Sequence, residues 1–534
     1  MTRMFSFKVR NACKLLAIAV IIGSCIVATL RAPVAHTVFA YAPAISVSGY
    51  PGPGDTVDVN GSGWPVRDSI TILYDAQQLA TAKVGFELGI VGQPIGAFRV
   101  PVVIPTNTIT GGHTITVNDV TAGLTQQTGI LVKAEWRQLG FTADGTRFNP
   151  YETTIGPANV NQLTLDWSYN TGYTGQVYPS VAEDDLVVSN QAAEYLTNLN
   201  ATTGQQLWQV YPENAESQPA VANGVIYETS LYLEARTVAT GAMLWESDYL
   251  IFNSDPVVAN GMVYATAQGG SAKLYAFSQG GCGQATCQPV WSYTGTGGVI
   301  GTPTVVNGHL FIGGSQLTAL NPTSGALQWT GTITTGETTV AAMVDHNMVY
   351  FAANSTSNGG TLYAFSVSGC GQKTCSPVWS VYNPHGWGRS PAAANGILYI
   401  GSVDTSLYAF AEANCSSSSC APIWEGSSNR PVIAPPAVAN GVVYDTLASG
   451  TIVAFNASGC GSATCSSLWS HTLSAFYDDA GPTVANGMLY VSNDAGMLYA
   501  FHLPSTASTC IATRPRRGGC GGTVTAAGGG VIIP

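Results

Sequence analysis

Residues 217–227 read SQPAVANGVIY, and residues 254–264 read SDPVVANGMVY. The unit returns as GTPTVVNGHLF from Gly301, RSPAAANGILY from Arg389, APPAVANGVVY from Ala434 and AGPTVANGMLY from Ala480. Degenerate copies begin at Tyr178 (YPSVAEDDLVV) and Thr339 (TVAAMVDHNMVY), making eight. In each, a short apolar run stops at or near Asn-Gly, the strongest short hairpin signal because both residues tolerate positive φ. A second strand with an aromatic follows, then a third reading Leu-Tyr-Ala-Phe at residues 274–277, 362–365, 407–410 and 498–501, then a fourth carrying Trp. The tryptophans stand at 167, 208, 245, 291, 329, 379, 424 and 469, 37 to 50 residues apart. That period, with four short strands per unit, is the signature of propeller blades. Residues 136–510 therefore predict an eight-bladed β-propeller.

The last unit has three strands and no Trp strand after them, whereas Leu163-Thr164-Leu165-Asp166-Trp167-Ser168-Tyr169 is a lone fourth strand before the first unit. Pairing the two closes the ring and leaves no open edge. Between strands three and four, three blades use the tight turns Thr203-Gly204, Thr240-Gly241 and Ser324-Gly325, and four use a Cys-x4-Cys insert. The inserts give Cys282/Cys287, Cys370/Cys375, Cys415/Cys420 and Cys460/Cys465, and the identical spacing, once per structural unit, suits hairpin staples. Even numbers of cysteines at regular spacing in an exported chain imply a disulfide framework. A metal is the rival reading, weakened because no pair has a nearby His partner. Cys510 and Cys520 are the best remaining pair, in a Gly-rich tail at 511–534 that reads as flexible.

Export is itself legible. Arg3, Lys8, Arg10 and Lys14 precede an apolar run over 15–30, and Val38-Phe39-Ala40 offers a cleavage site. Residues 1–40 thus read as a secretory signal peptide, and the protein as extracellular or cell-surface. A retained anchor and a lipoprotein box at Ile22-Gly23-Ser24-Cys25 are the alternatives. No later stretch is apolar enough to span a bilayer. A net charge of −11 argues against nucleic acid as a partner, because a phosphate-binding surface needs a basic face. Only 9% of residues are charged, and 61 Gly and 28 Pro accompany them, which suits many short strands and tight turns.

Residues 43–133 form a separate unit. Ile45-Ser46-Val47, Thr56-Val57-Asp58-Val59, Ser69-Ile70-Thr71-Ile72-Leu73 and His113-Thr114-Ile115-Thr116-Val117 alternate apolar and polar, the period of a half-buried strand. The runs GDTVDVNGSGWP, GAFRVPVVIP and GGHTITV resemble small bacterial immunoglobulin-like modules of surface proteins. The fold class expected is all-β: an immunoglobulin-like β-sandwich followed by the propeller.

The units PxVANGxVY, LYAF and (T/S)GxxxW resemble the pyrroloquinoline-quinone (PQQ)-like propeller repeat. The lead-in WRQLGFTADGTRFNPYETTIGPANVNQLTLDW, residues 136–167, is similar to the segment opening many quinoprotein dehydrogenase propellers. The resemblance implies the fold. It does not fix the activity, because dehydrogenases and non-catalytic propellers share the repeat. A dehydrogenase of this kind needs a catalytic Asp, a calcium site, a stacking Trp and, in many members, two adjacent bonded cysteines. No two cysteines here are adjacent.

A central site would collect residues from the loops leading into each blade's first strand: Tyr178, Gln218, Asp255, Thr302, Trp387, Arg389, Asp478 and Asp479. As a cofactor-binding set, Trp387 would be a platform, Arg389 a partner for carboxylates, and Asp478-Asp479 a carboxylate pair for metal or base work. The competing reading packs Trp387 in the funnel mouth and makes Asp478-Asp479 a solvated turn. The seven histidines show no metal spacing, His309 and His346 sitting at hairpin turns and reading as surface. No phosphate loop, nucleophile elbow or Ser/His/Asp arrangement appears.

The sequence thus predicts an exported, non-catalytic propeller without cofactor. It would act as a monomeric binding or scaffold module for protein or glycan partners at the propeller face, with the sandwich as spacer. The alternative is a PQQ- and calcium-dependent dehydrogenase of alcohols or sugars. A third reading resembles the propeller lipoproteins that aid outer-membrane protein assembly and depends on lipidation of Cys25.

Overall fold

The structure is a computed structural model. It describes residues 42–504 except 50, 89–93, 183, 191, 193–194, 213–216, 268–272, 296–300, 334–340, 356–358, 417–419 and 474–479. The signal peptide expected at 1–40, Asp478, Asp479, Cys510, Cys520 and the Gly-rich tail lie outside the described residues. Two short 3-10 turns aside, the regular elements are strands. No helix among the described residues is long and apolar enough to cross a membrane.

Two four-stranded sheets form a sandwich. In chain order its strands are Ala44–Ser48, Thr56–Trp64, Ser69–Tyr74, Gln77–Lys83, Gly85–Leu88, Pro94–Val103, Gly111–Asp119 and Leu124–Val132. One sheet runs first-second-sixth-fifth and the other fourth-third-seventh-eighth. Val57, Val59, Ile70, Ile72, Phe98, Val102, Ile115 and Val117 meet between them as one core. Alternation marked four of these strands. Polar runs such as Gln77–Lys83 and Leu124–Val132 escaped that reading because several of their inward positions carry polar or small residues and are half-buried.

Eight further sheets follow, each built on four antiparallel strands that we letter A to D from the inside outward. The A strands are Val177–Ala182, Ala220–Ala222, Val257–Ala259, Thr304–Val306, Met343–Asp345, Ala392–Ala394, Ala437–Ala439 and Thr483–Ala485, numbered here as blades 1 to 8. Each A strand touches the next, and the eighth touches the first, so the sheets form a closed ring. Ring closure uses the chain's own beginning. Thr164–Asn170 is the D strand of blade 8 and pairs antiparallel with Met497–His502, Trp167 lying opposite Ala500.

Blades dock through one recurring device. The Tyr of strand B donates its hydroxyl to the carbonyl of the C–D turn in the next blade. Examples are Tyr227 to Gln279 at 2.7 Å, Tyr264 to Pro322 at 3.1 Å, Tyr399 to Ala457 at 2.9 Å and, across the closure, Tyr490 to Ala201 at 2.9 Å. The D-strand Trp reaches the equivalent carbonyl: Trp208 to Val238 at 2.7 Å, Trp291 to Pro322 at 3.1 Å and Trp329 to Val367 at 3.2 Å. A glycine of that turn lies flat on the indole. At Gly325, where φ is +69°, a Cβ would stand 2.5 Å from Trp291.

All four Cys-x4-Cys inserts are closed by disulfides: Cys282–Cys287, Cys370–Cys375, Cys415–Cys420 and Cys460–Cys465. Three of them do more than staple their own hairpin. Thr286–Cys287 of blade 3 adds a parallel fifth strand to Met243–Ser247, the outer strand of blade 2. Thr374–Cys375 does the same for blade 4, and Thr464–Cys465 for blade 6. The insert covers the outer edge of the preceding blade.

The remaining insert, in blade 6, is built differently. Cys420 is bonded to Cys415 but lies outside any strand, unlike Cys287, Cys375 and Cys465 at the same place in their inserts. The Cα atoms of Cys415 and Cys420 stand 4.2 Å apart, against 5.6 or 5.7 Å in the other three pairs. The reason is local. Where the other inserts open on a glycine turn, this one opens on the 3-10 segment Glu412–Asn414, which sends the chain along a different path. Both cysteines then pack, half-buried, against the apolar core that includes Trp379 and Phe410.

Candidate functional site

The middle of the ring holds a cavity of about 430 Å³. Its walls come from the loops before the A strands, where Tyr178, Asp255, Thr302 and Arg389 meet as the repeat register implied. Gln218 belongs to the same ring of positions but is buried, its amide donating to the Pro179 carbonyl at 2.9 Å.

Trp387 lies elsewhere. It is buried in the seam between blades 5 and 6, edge-on to Tyr408 and Phe410, and its indole donates to the Val381 carbonyl at 3.2 Å. Phe252 and Val432 occupy the matching place, four residues before the proline of their units, and all three form an isolated bridge to strand B or its following turn. Trp387 is a blade wedge and does not line the cavity. Setting this copy beside those of Phe252 and Val432 points to the same packing role, because both residues are apolar and stand at the same place.

The floor of the cavity is a feature that the repeat pattern did not reveal. Residues 136–149 run around the ring and meet every blade in turn. Trp136, Arg137, Ala143, Asp144, Thr146 and Arg147 offer carbonyls to the amides of Val181, Val221, Val305, Val344, Ala393 and Val438, at 2.7 to 3.0 Å. The Gln138 side chain takes the amide of Val258, and the Asn149 side chain donates to the Val484 carbonyl, each at 2.9 Å. Inner strands expose a row of unpaired backbone groups toward the axis, and this collar pairs them. Gly140, Thr142, Ala143, Gly145 and Arg147 of the collar line the cavity. Gly145, at φ +72°, passes so close to blade 5 that a Cβ would lie 3.1 Å from the Ala342 carbonyl.

The collar also carries the sandwich. Arg137 bridges to Asp55 and Glu135, and Tyr151 donates to the Thr106 carbonyl at 3.0 Å.

Among the described lining residues the cavity holds one carboxylate and two guanidinium groups, those of Arg147 and Arg389. Asp255 accepts from the Gln218 backbone amide at 2.7 Å and from the Thr302 hydroxyl at 2.8 Å, one bond to each oxygen. Burial pushes its carboxyl up, opposed by these hydrogen bonds and by the Arg147 charge. Arg147 is buried, holds the Pro436 carbonyl at 2.9 Å and lies 5.8 Å over the Trp136 ring.

On the loop face beside this cavity, blades 1 and 2 carry clustered tyrosines. Tyr195 packs 6.1 Å from Tyr173 and 5.6 Å from Tyr211, and Tyr232 packs 5.6 Å from Tyr249. Tyr173, Tyr211 and Tyr249 are each about half exposed, at 47%, 55% and 57%.

Closed ring, four-stranded sheets and repeat together define a β-propeller, similar to propellers of the PQQ-like repeat. Within that class, residues 192–419 match the family described as outer membrane protein assembly factor BamB. No curated protein matches the sequence. Among solved structures the chain is similar to a europium-containing methanol dehydrogenase, at 15% identity and a TM-score of 0.53, covering 69% of this chain and 98% of that one. A computationally designed protein, Ika8, gives 11% identity and a TM-score of 0.50, over 62% and 97% of the two chains. BamB from Moraxella catarrhalis gives 17% and 0.48, over 64% and 99%. At such identities the likenesses speak to fold alone.

Proposed function

We propose that this protein is an exported, non-catalytic propeller that binds protein or glycan partners on its loop face. The observation that carries the reading is the tyrosine cluster of blades 1 and 2. Tyrosines offer large, rigid, amphipathic contact area, and aromatic residues are enriched at interfaces. The match to an assembly-factor family favours a protein partner. The sandwich supports the role of spacer: its strand order corresponds to the ABED and GFC sheets of immunoglobulin-like domains, with one added strand beside C. Four disulfides suit a chain that folds in an oxidising compartment, in keeping with a signal peptide at 1–40.

The dehydrogenase reading draws on Arg147, Arg389 and Asp255 sharing one cavity. Two features of the described residues weigh against the cofactor. Both Asp255 oxygens are engaged by neighbouring loops, which leaves little for calcium, an ion that takes six to eight oxygen ligands. Trp387, the stacking candidate, is wedged between blades.

Two measurements test the proposal. Purified mature protein mixed with PQQ and calcium should show neither retained quinone absorbance nor dye-linked oxidation of alcohols or sugars; turnover would sink the reading. A photo-crosslinking residue at Tyr249 should capture a partner from the native cell envelope, and one at exposed Leu131 of the sandwich should not.

A further inference from the structure

The seam between blades 5 and 6 breaks the repeat at three positions that converge in space. Where other blades have Ala then Asn at the A–B turn, as in Ala222-Asn223, Ala259-Asn260 and Ala439-Asn440, blade 5 has Asp345-His346. Where other inserts have Gln279, Val367 or Ala457 after strand C, blade 6 has Glu412. The glycine that stacks on the preceding indole is there replaced by Asn414, within the 3-10 segment Glu412–Asn414.

The His346 Nδ1 lies 3.2 Å from Asp345 Oδ1 and 3.3 Å from Glu412 Oε2, and one ligand atom from each of the three residues lies within 4.8 Å of the others. Ligands about 2.1 Å from a tetrahedral centre stand roughly 3.4 Å apart, so the imidazole-to-carboxylate spacings are those of a coordination edge. The other oxygen of Glu412, Oε1, is buried, and the Tyr350 hydroxyl lies beside the same carboxylate. Beside the cluster a cavity of about 450 Å³ is lined by His346, Glu412, Tyr350, Trp379 and Cys415 and leaves room for a water ligand.

We infer that Asp345, His346 and Glu412 form a binding site for one first-row divalent transition ion of the zinc type. An imidazole with two carboxylates is a borderline donor set that suits such ions better than calcium. Two carboxylates neutralise the ion's charge, and water completes the shell. The site would tie the A–B turn of blade 5 to the insert of blade 6 at the junction lacking the glycine stack.

Two substitutions restore what the repeat itself uses. His346→Asn puts Asn at φ +51°, inside the 43° to 54° of Asn at the same turn in six blades. Asp345→Ala likewise restores Ala. The test is calorimetric titration of chelator-stripped, full-length mature protein with Zn2+ alone. One equivalent should bind, and each substitution should weaken it by about tenfold or more, as loss of metal-site partners does, without lowering the metal-free melting temperature. No saturable zinc binding, binding undiminished in both variants, or calcium binding tighter than zinc would overturn the assignment.

Discussion

The carbonyl of Pro322 receives two donors, the Tyr264 hydroxyl and the Trp291 indole, and both come from the preceding blade. Tyr264→Phe should cost about 1 kcal/mol in urea unfolding, since the indole still satisfies the carbonyl. Gly325→Ala should cost more, about 2 to 3 kcal/mol, because it adds left-handed backbone strain to a clash with a packed indole. A melting temperature unchanged by Gly325→Ala would refute the stacked-turn account. Asp255 gives a pH signature. Its carboxyl is raised in the folded protein, so its protonated form is favoured there and stability is lost as pH climbs from the ordinary Asp range through the raised value. Urea midpoints of wild type and Asp255→Asn should therefore lie closest at acid pH and move apart in the variant's favour towards neutrality. Asp255 was legible as a lining residue because its place before Pro256 repeats in seven of the eight units. The seam position of Trp387 was not legible, because one copy, read alone, does not show that Phe252 and Val432 do the same packing work.

At the scale of the element, the inserts act across a blade boundary. Replacing Cys282 and Cys287 by Ser should lower stability by about 2 kcal/mol by loop-entropy arithmetic. Amide exchange should accelerate in Met243–Ser247 of blade 2, whose edge Thr286–Cys287 covers. Faster exchange confined to blade 3 would contradict that pairing. Local spacing identified the disulfide partners, Cys415 and Cys420 included, because five residues of separation leave little choice. It could not reveal the covered edge, since Thr286 meets Glu246 only after two blades have docked. Nor did spacing show that Cys420 stands apart from its three counterparts, because that difference arises from Glu412–Asn414 ahead of the pair.

For the whole molecule, closure is non-covalent and rests on Thr164–Asn170. A chain beginning after residue 170 would lose that strand together with the collar. It should expose the Met497–His502 edge and associate in sedimentation velocity, where the full chain does not change with concentration. A truncated chain that sediments like the full one, scaled for mass, would show that closure does not depend on this strand. The collar explains why the sandwich is docked as well as tethered. Arg137 hydrogen-bonds blade 2 through its carbonyl and Asp55 through its side chain, joining the two units at one residue.

The sequence by itself determined the strands, their turns, the period and the strand that completes the last blade, because alternation and Asn-Gly turns act over a few residues and each copy repeats them. It also brought Tyr178, Asp255, Thr302 and Arg389 to the cavity, a consequence of shared register. Tertiary structure alone decided three things. Residues 136–149 became a collar because eight inner strands present backbone groups, seven amides and one carbonyl, that a ring-shaped path satisfies. Trp387 left the cavity because a neighbouring blade offered an apolar slot. Glu412 met His346 because blade docking joins residues 66 apart in the chain, a distance at which no local pattern carries information.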